Sequence, residues 1–255
     1  MASNRSSPAR QELQAYFYAA RQPIQSILFT LPVLILYEVG IFIFNKSEVL
    51  GVRNGADVLL RYFYSFFGLY GFYAFAASLI LILGIGFWIE YRRHDRITFH
   101  GRYIPGMVFE SLIYGNLLYL ILSRIASIDI QIGGLGPENV IQSLVLIFGA
   151  GIYEELLFRV ILVSGIALFL ISILNWQKQS AYIAGVILAA LIFSWFHYIG
   201  EFGDIWQIRT FLLRAFAGIL LSVLYVARGF GIVVYAHIFY DCFIFLGVSM
   251  NVPGE

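Results

Sequence analysis

Six ionisable side chains in the C-terminal part of this sequence stand where an apolar chain would ordinarily exclude them. Glu154 and Glu155 are adjacent, and Arg159 follows four residues after the second, within GIYEELLFRVIL. His197 closes the run LIFSWFH, and His237 and Asp241 lie four apart in VVYAHIFYDCF. On a helix Glu155 and Arg159 share a face and can pair. Glu154 sits about 100° round from Glu155 and is poorly neutralised by the same arginine. Two neighbouring carboxylates in low dielectric resist ionising together, which is one way a site acquires a base near neutral pH. A carboxylate base with two imidazoles at similar depth is what a buried hydrolytic site would need.

The elements that must position these groups are membrane spans. The chain has 255 residues, 60% of them hydrophobic and only 12% charged. Its mean hydropathy is +0.83, well beyond that of a soluble domain, where about a quarter of residues are charged. The excess recurs along the whole chain, so the fold class expected is all-α: a polytopic integral membrane bundle of about eight helices. Residues 1–25 read as a polar cytoplasmic lead-in without the apolar region of a signal peptide. The Asn4 sequon within it is read as a chance match. Residues 26–250 form a single transmembrane domain, with the candidate motifs in 140–245. The single cysteine, Cys242, excludes an intrachain disulfide.

A span needs about 20 apolar residues. Candidates lie near 26–44, 71–90, 105–124, 181–199, 209–227 and 230–250, and the amphipathic stretch 57–70 suits the membrane interface. Residues 140–174 would make one helix of about 52 Å, too long for a core of about 30 Å. A break just after EELLFR is therefore expected, giving a fourth and a fifth span. Arg5, Arg10 and Arg21 precede the first span, and Arg92, Arg93, Arg96 and Arg102 follow the second. The positive-inside rule then places the N-terminus in the cytoplasm. In that topology the fourth, sixth and eighth spans all run inward, and Glu154, His197 and His237 converge toward the cytoplasmic side.

Glu154-Glu155-x-x-x-Arg159, Phe193-x-x-x-His197 and His237-x-x-x-Asp241, ordered on successive apolar helices, resemble the three motifs of the CPBP (CAAX protease and bacteriocin-processing) family of intramembrane endopeptidases. That family includes the type II CAAX prenyl endopeptidase. The resemblance implies that Glu154 is the general base that activates a water and that His197 orients or shares it. It implies that His237 and Asp241 stabilise the oxyanion, with Glu155 and Arg159 holding the site's shape and charge. Members with Asn at the last position have an amide to donate there. Asp241 donates only if protonated; otherwise it orients His237 or ligates a metal. No cofactor is expected from a metal-free glutamate mechanism. Zinc is the alternative, on Glu154, His197, His237 and Asp241 with an open position for water. The resemblance further implies a membrane-associated peptide or protein substrate, lipidated or carrying a C-terminal hydrophobic tail, cut near its C-terminus. It places the chain in a bacterial inner membrane, with the lipid bilayer and no nucleic acid as partner.

Each residue also has a plainer reading. Glu155 and Arg159 serve equally as a buried structural ion pair, and any one of Glu154, His197 and His237 alone would be read as interhelical glue. Phe193 is read as packing that shapes the site beside His197. Ser194 lacks a paired base. Glu38 and Glu110 are intramembrane acids for which Arg214 is the obvious counter-charge, and Glu201 and Asp204 are read as solvated. The run Gly149-Ala150-Gly151 suits close helix packing. Two other classes stay open. A proton-coupled transporter should show an internal repeat, and none is found; a non-proteolytic scaffold or immunity protein would bind without cutting.

Overall fold

The computed structural model describes residues 7–44, 53–66, 99–126, 140–200 and 203–251. These residues form an all-helical bundle. The helices are α1 (Pro8–Ala20), α2 (Pro23–Phe44), α3 (Gly55–Phe66), α4 (Ile104–Ala126), α5 (Val140–Ser172), α6 (Lys178–Phe196), α7 (Ile208–Arg228) and α8 (Phe230–Asn251). Among the described residues six helices are long and apolar enough to cross a membrane: α2, α4, α5, α6, α7 and α8. The span expected at 71–90 and the arginines at 92, 93 and 96 lie outside the described residues.

The break expected after EELLFR is not there. Residues 140–172 form one continuous helix of 33 residues. Within it, Ala150–Glu154 and Leu156–Val163 are wound as π-helix between ordinary α-helical ends. The wider i→i+5 winding shortens the helix only slightly, so it tilts and extends past a hydrocarbon core of about 30 Å. The expected fourth and fifth spans are therefore one, and the count of eight spans is corrected accordingly.

That merger reverses the direction of the helices after α5. The chain turns back at residues 173–177 with Asn175 in the left-handed region (φ 55°), a conformation Asn tolerates better than most residues. The Trp176 amide caps the helix end by donating to the Leu170 carbonyl at 3.0 Å. α6 then runs antiparallel to α5, with Gly185 facing the Val163 carbonyl and Phe193 against Phe158 at 5.1 Å. The expectation that Glu154 and His197 meet because their helices run the same way is thus corrected. They meet because the two helices form a hairpin.

α2, α4 and α8 run together and opposite to α5. Phe29 stacks on Tyr235 at 4.1 Å, and Ser111 Oγ donates to the Ile232 carbonyl at 3.2 Å. On α5, Tyr153 OH donates to Glu38 Oε1 at 2.5 Å, and Val145 packs on Gly40. α1 lies at the bundle end where α4 and α8 begin, joined through Tyr16 to Glu110 of α4, which also receives Arg228 Nη2 of α7 at 2.8 Å. His197 lies at the opposite end, with α3. The N-terminal segment and the His197 end therefore sit on different faces, and the expectation that places both in the cytoplasm does not hold.

Small residues set the helix spacing. A Cβ on Gly149 would lie 2.3 Å from Tyr37 Cε2, and one on Gly151 would lie 2.4 Å from Ile238 Cγ1, so this run does serve close packing. Gly115 on α4 is the most constrained by fixed atoms. Its Cβ would meet the Ala236 carbonyl oxygen at 2.7 Å, Phe239 Cβ at 2.7 Å and the Tyr240 nitrogen at 3.0 Å. None of these can swing aside. Gly115→Ala is expected to lose about 1–3 kcal/mol by overpacking, measured as thermal unfolding in detergent. Gly165→Ala meets nothing within 4 Å and is expected to leave the transition unchanged or raise it.

Candidate active site

The middle of α5 carries three charged groups, and neighbouring elements help to satisfy each of them. Glu155 and Arg159 are completely buried, while Glu154 retains 8% of its surface. Glu155 is a bridge. Its Oε2 lies 3.0 Å from Arg159 Nε, and its Oε1 lies 2.7 Å from His237 Nδ1 on α8. The Arg159 approach is off the N–H axis, so it is an ion pair rather than a hydrogen bond. Nη1 and Nη2 of Arg159 have no hydrogen-bond partner among the described residues; the guanidinium lies 4.7 Å over the Phe193 ring instead. Such a cation–π seat is strongest when desolvated. Phe193 therefore does more than pack, since it accommodates the cation and meets the His197 ring edge-on at 4.9 Å.

The two histidines are held in different ways. His197 follows the last residue of α6, and its Nδ1 lies 2.9 Å from the Phe193 carbonyl oxygen. A carbonyl only accepts, so Nδ1 carries the proton and Nε2 carries the lone pair when the ring is neutral. Burial pushes the His197 imidazole below its ordinary value, opposed by the nearby Glu154 carboxylate. His237 instead has a carboxylate on each side, Glu155 at Nδ1 and Asp241 Oδ2 at 3.6 Å from Nε2. Nδ1 donates to Glu155, whereas Nε2 lies within ion-pair but not hydrogen-bond distance of Asp241. The site thus offers a reachable carboxylate, an imidazole suited to accept and a second suited to carry charge.

The six residues singled out from the sequence do gather in one region. Pairing Glu155 with Arg159 alone is incomplete, because half of Glu155 serves His237. Asp241 approaches His237 at a distance too long for a hydrogen bond. Among the described residues no three His, Cys, Asp or Glu side chains are grouped to share one ion.

Other expectations are corrected. Arg214 meets neither Glu38 nor Glu110; it pairs with Asp204, so Asp204 is not simply solvated. Glu38 takes Arg61 Nη2 at 3.1 Å, and Glu110 takes Arg228. Arg228 closes α7 and Arg61 lies on the short amphipathic α3, places where a basic residue reads as an interface anchor rather than as a partner for a buried acid. Glu201 lies outside the described residues. Ser194 Oγ is used up in a 2.6 Å bond to the Phe211 carbonyl. A contact that the sequence does not reveal comes from Asn54, whose Nδ2 donates to Glu154 Oε1 at 2.9 Å. The NG pair at 54–55 reads as a loop, and its only hint of more is that Asn can also cap a helix.

Residues 136–243 match the family model described as Type II CAAX prenyl endopeptidase Rce1-like. The match falls on the segment that carries all three motifs and makes this part of the chain similar to CAAX-type intramembrane endopeptidases. No curated protein matches the chain. Nor does any solved structure.

Removing one partner of a buried ion pair costs about 3–5 kcal/mol, because the other charge is left without compensation. Arg159→Met is therefore expected to destabilise the protein by that amount. Asp204→Asn, at a pair whose carboxylate side chain is 35% exposed, is expected to cost about 1 kcal/mol or less. Thermal unfolding of the two variants in the same detergent measures the contrast.

Proposed function

We propose that this chain, with its Rce1-like residues 136–243, is an intramembrane endopeptidase that hydrolyses a peptide bond near a substrate's C-terminus with a water activated by Glu154. The observation that carries the reading is the contrast between the two adjacent glutamates. Glu155 is sealed and spent on Arg159 and His237, while Glu154 keeps exposed surface and lies within electrostatic reach of His197. A structural pair would have no use for the second carboxylate.

In this mechanism Glu154 takes a proton from water while His197 Nε2 accepts the other hydrogen and fixes the water's direction. The oxygen attacks the scissile carbonyl carbon, and the carbonyl electrons move onto its oxygen. His237, seated between Glu155 and Asp241, faces that oxyanion, and Asp241 donates to it when protonated or else orients the imidazole. Preorganised charge of this kind contributes most in a site from which water is excluded. Collapse of the tetrahedral species breaks the C–N bond, and Glu154 returns its proton to the leaving amine. No acyl-enzyme forms and no metal takes part. The substrate is a membrane-associated peptide or protein, lipidated or tailed at its C-terminus, entering laterally between helices of a multi-pass protein. We place that protein in a bacterial inner membrane with its N-terminus cytoplasmic.

Glu154→Gln is expected to fold normally and to lose at least about 10²–10⁴ of the cleavage rate, with His197→Ala similarly impaired. The check is cleavage of an S-farnesylated CAAX peptide in proteoliposomes. Wild-type cleavage is expected to be indifferent to EDTA and 1,10-phenanthroline. Inhibition by chelator with recovery on adding zinc would overturn the metal-free mechanism. Binding of the peptide without cleavage by wild type would favour a scaffold.

A further inference from the structure

Glu154 has one hydrogen-bond partner among the described residues, and it comes from 100 positions upstream. Asn54 immediately precedes α3, and its Oδ1 accepts the Ala56 amide at 2.9 Å, capping the helix. That bond settles how the side-chain amide is turned. With the oxygen committed to a backbone N–H, the NH₂ group faces Glu154. The same residue can therefore do two jobs only because it is Asn. Ser, Thr and Asp would cap equally well, but none offers a second arm that donates.

The segment around Asn54 is fastened on every side. Its backbone N–H donates to Tyr37 OH at 3.3 Å, and Tyr37 OH donates to Asp57 Oδ2 at 2.9 Å. Asp57 is completely buried and receives Arg53 Nη1 at 2.8 Å and Arg61 Nε at 2.6 Å. Arg61 continues to Glu38, which also receives Tyr153, the neighbour of Glu154 on α5. The network leaves α5 at Tyr153 and returns to it at Glu154 through α2 and α3. Two arginines and two acids, drawn from the loop (Arg53), α3 (Asp57, Arg61) and α2 (Glu38), thus brace Asn54, while the outer face of α3 is Tyr62, Phe63 and Phe66.

We propose that Asn54 is a positioning residue of the active site: it holds Glu154 by Oε1 in one rotamer and leaves Oε2 to the water. The inference rests on the reading of Glu154 as the base, and Asn54 lies outside the residues that match the family model. A glutamate has three freely turning side-chain bonds, and a displacement of about 1 Å at a reacting group can cost about a hundredfold in rate. One anchored oxygen on a rigid loop removes most of that freedom.

Two variants separate positioning from capping. Asn54→Ser and Asn54→Asp both keep a cap for α3, so both are expected to fold, with a modest drop in melting temperature from the lost Glu154 bond that is larger in Asn54→Asp, where a second carboxylate faces Glu154. Against the S-farnesylated CAAX peptide, Asn54→Ser is expected to lower kcat about ten- to a hundredfold with KM unchanged. Asn54→Asp is expected to lower kcat further, because an acceptor replaces the donor. A double-mutant cycle of Asn54→Ser with Glu154→Ala, read by thermal unfolding, is expected to be non-additive and needs no substrate. Wild-type kcat in Asn54→Ser, a rise in KM alone, or additive unfolding shifts with Glu154→Gln inactive would each overturn the role of Asn54. Cleavage retained by Glu154→Gln would instead remove the assigned base, and Asn54's role with it, even where the unfolding coupling persists.

Discussion

A completely buried carboxylate, Glu155, sets the terms for the rest of the structure. An isolated charge is excluded from such a position, so Glu155 requires partners from other parts of the fold. It takes Arg159 from one turn further along its own helix and His237 from α8. Arg159 then needs a second stabiliser, and the Phe193 ring of α6 supplies it. One side chain thus ties three helices to a common register. The tie also determines what the neighbouring residue can do. With the inward direction of α5 filled by Glu155, Glu154 is turned to a different direction, where a little surface remains and where His197 arrives.

The bundle divides its labour along the chain. The segment from α5 to α8 contains the groups that would touch a substrate, and the segment from α2 to α3 contains what braces them. Tyr37 shows how closely the two are fitted. Its ring fills the space left open by Gly149, and its hydroxyl joins the Asp57 network. Polar networks in low dielectric are stabilising only when their members are satisfied together. Here the arginines lie toward the α3 end of the bundle, where they are 11% and 18% exposed, and the buried acid lies beneath them. The side chains snorkel outward while their charge is used inward.

How much of this was legible differs with the range of the interaction. The all-helical membrane fold and the ends of α2, α4, α7 and α8 follow from apolar length and from Pro and Gly punctuation, which are local signals. The pairing of Glu155 with Arg159 follows from four-residue spacing on a helix. The continuity of α5 was not legible. Apolar length favours a break within 140–174, the structure continues the helix, and the π winding inside it leaves no residue-level signature in an apolar run. Partner choice for Glu38, Glu110 and Arg214 failed for a different reason. Those pairings join residues 23 to 118 positions apart or depend on a loop conformation, and charge complementarity alone does not distinguish one arginine from another. Asn54 was missed because a capping residue and a site residue look identical until the partner of the second arm is known.

The error over topology and the survival of the site share one cause. A hairpin and a pair of parallel spans both bring the middle of one helix near the end of another, provided the sequence distances match. From Glu154 to the turn at 173–177 and back to His197 the two arms are nearly equal in length, so the residues face each other whatever the orientation in the membrane. What the hairpin changes is the face on which His197 lies. Antiparallel packing carries the end of α6 to the α3 side of the bundle, away from α1, so that His197 arrives beside the loop whose Asn54 donates to Glu154, where a Cβ on Gly55 would lie 3.3 Å from Phe196. The continuous α5 thus holds Glu154 beside a loop whose Asn54 donates to it.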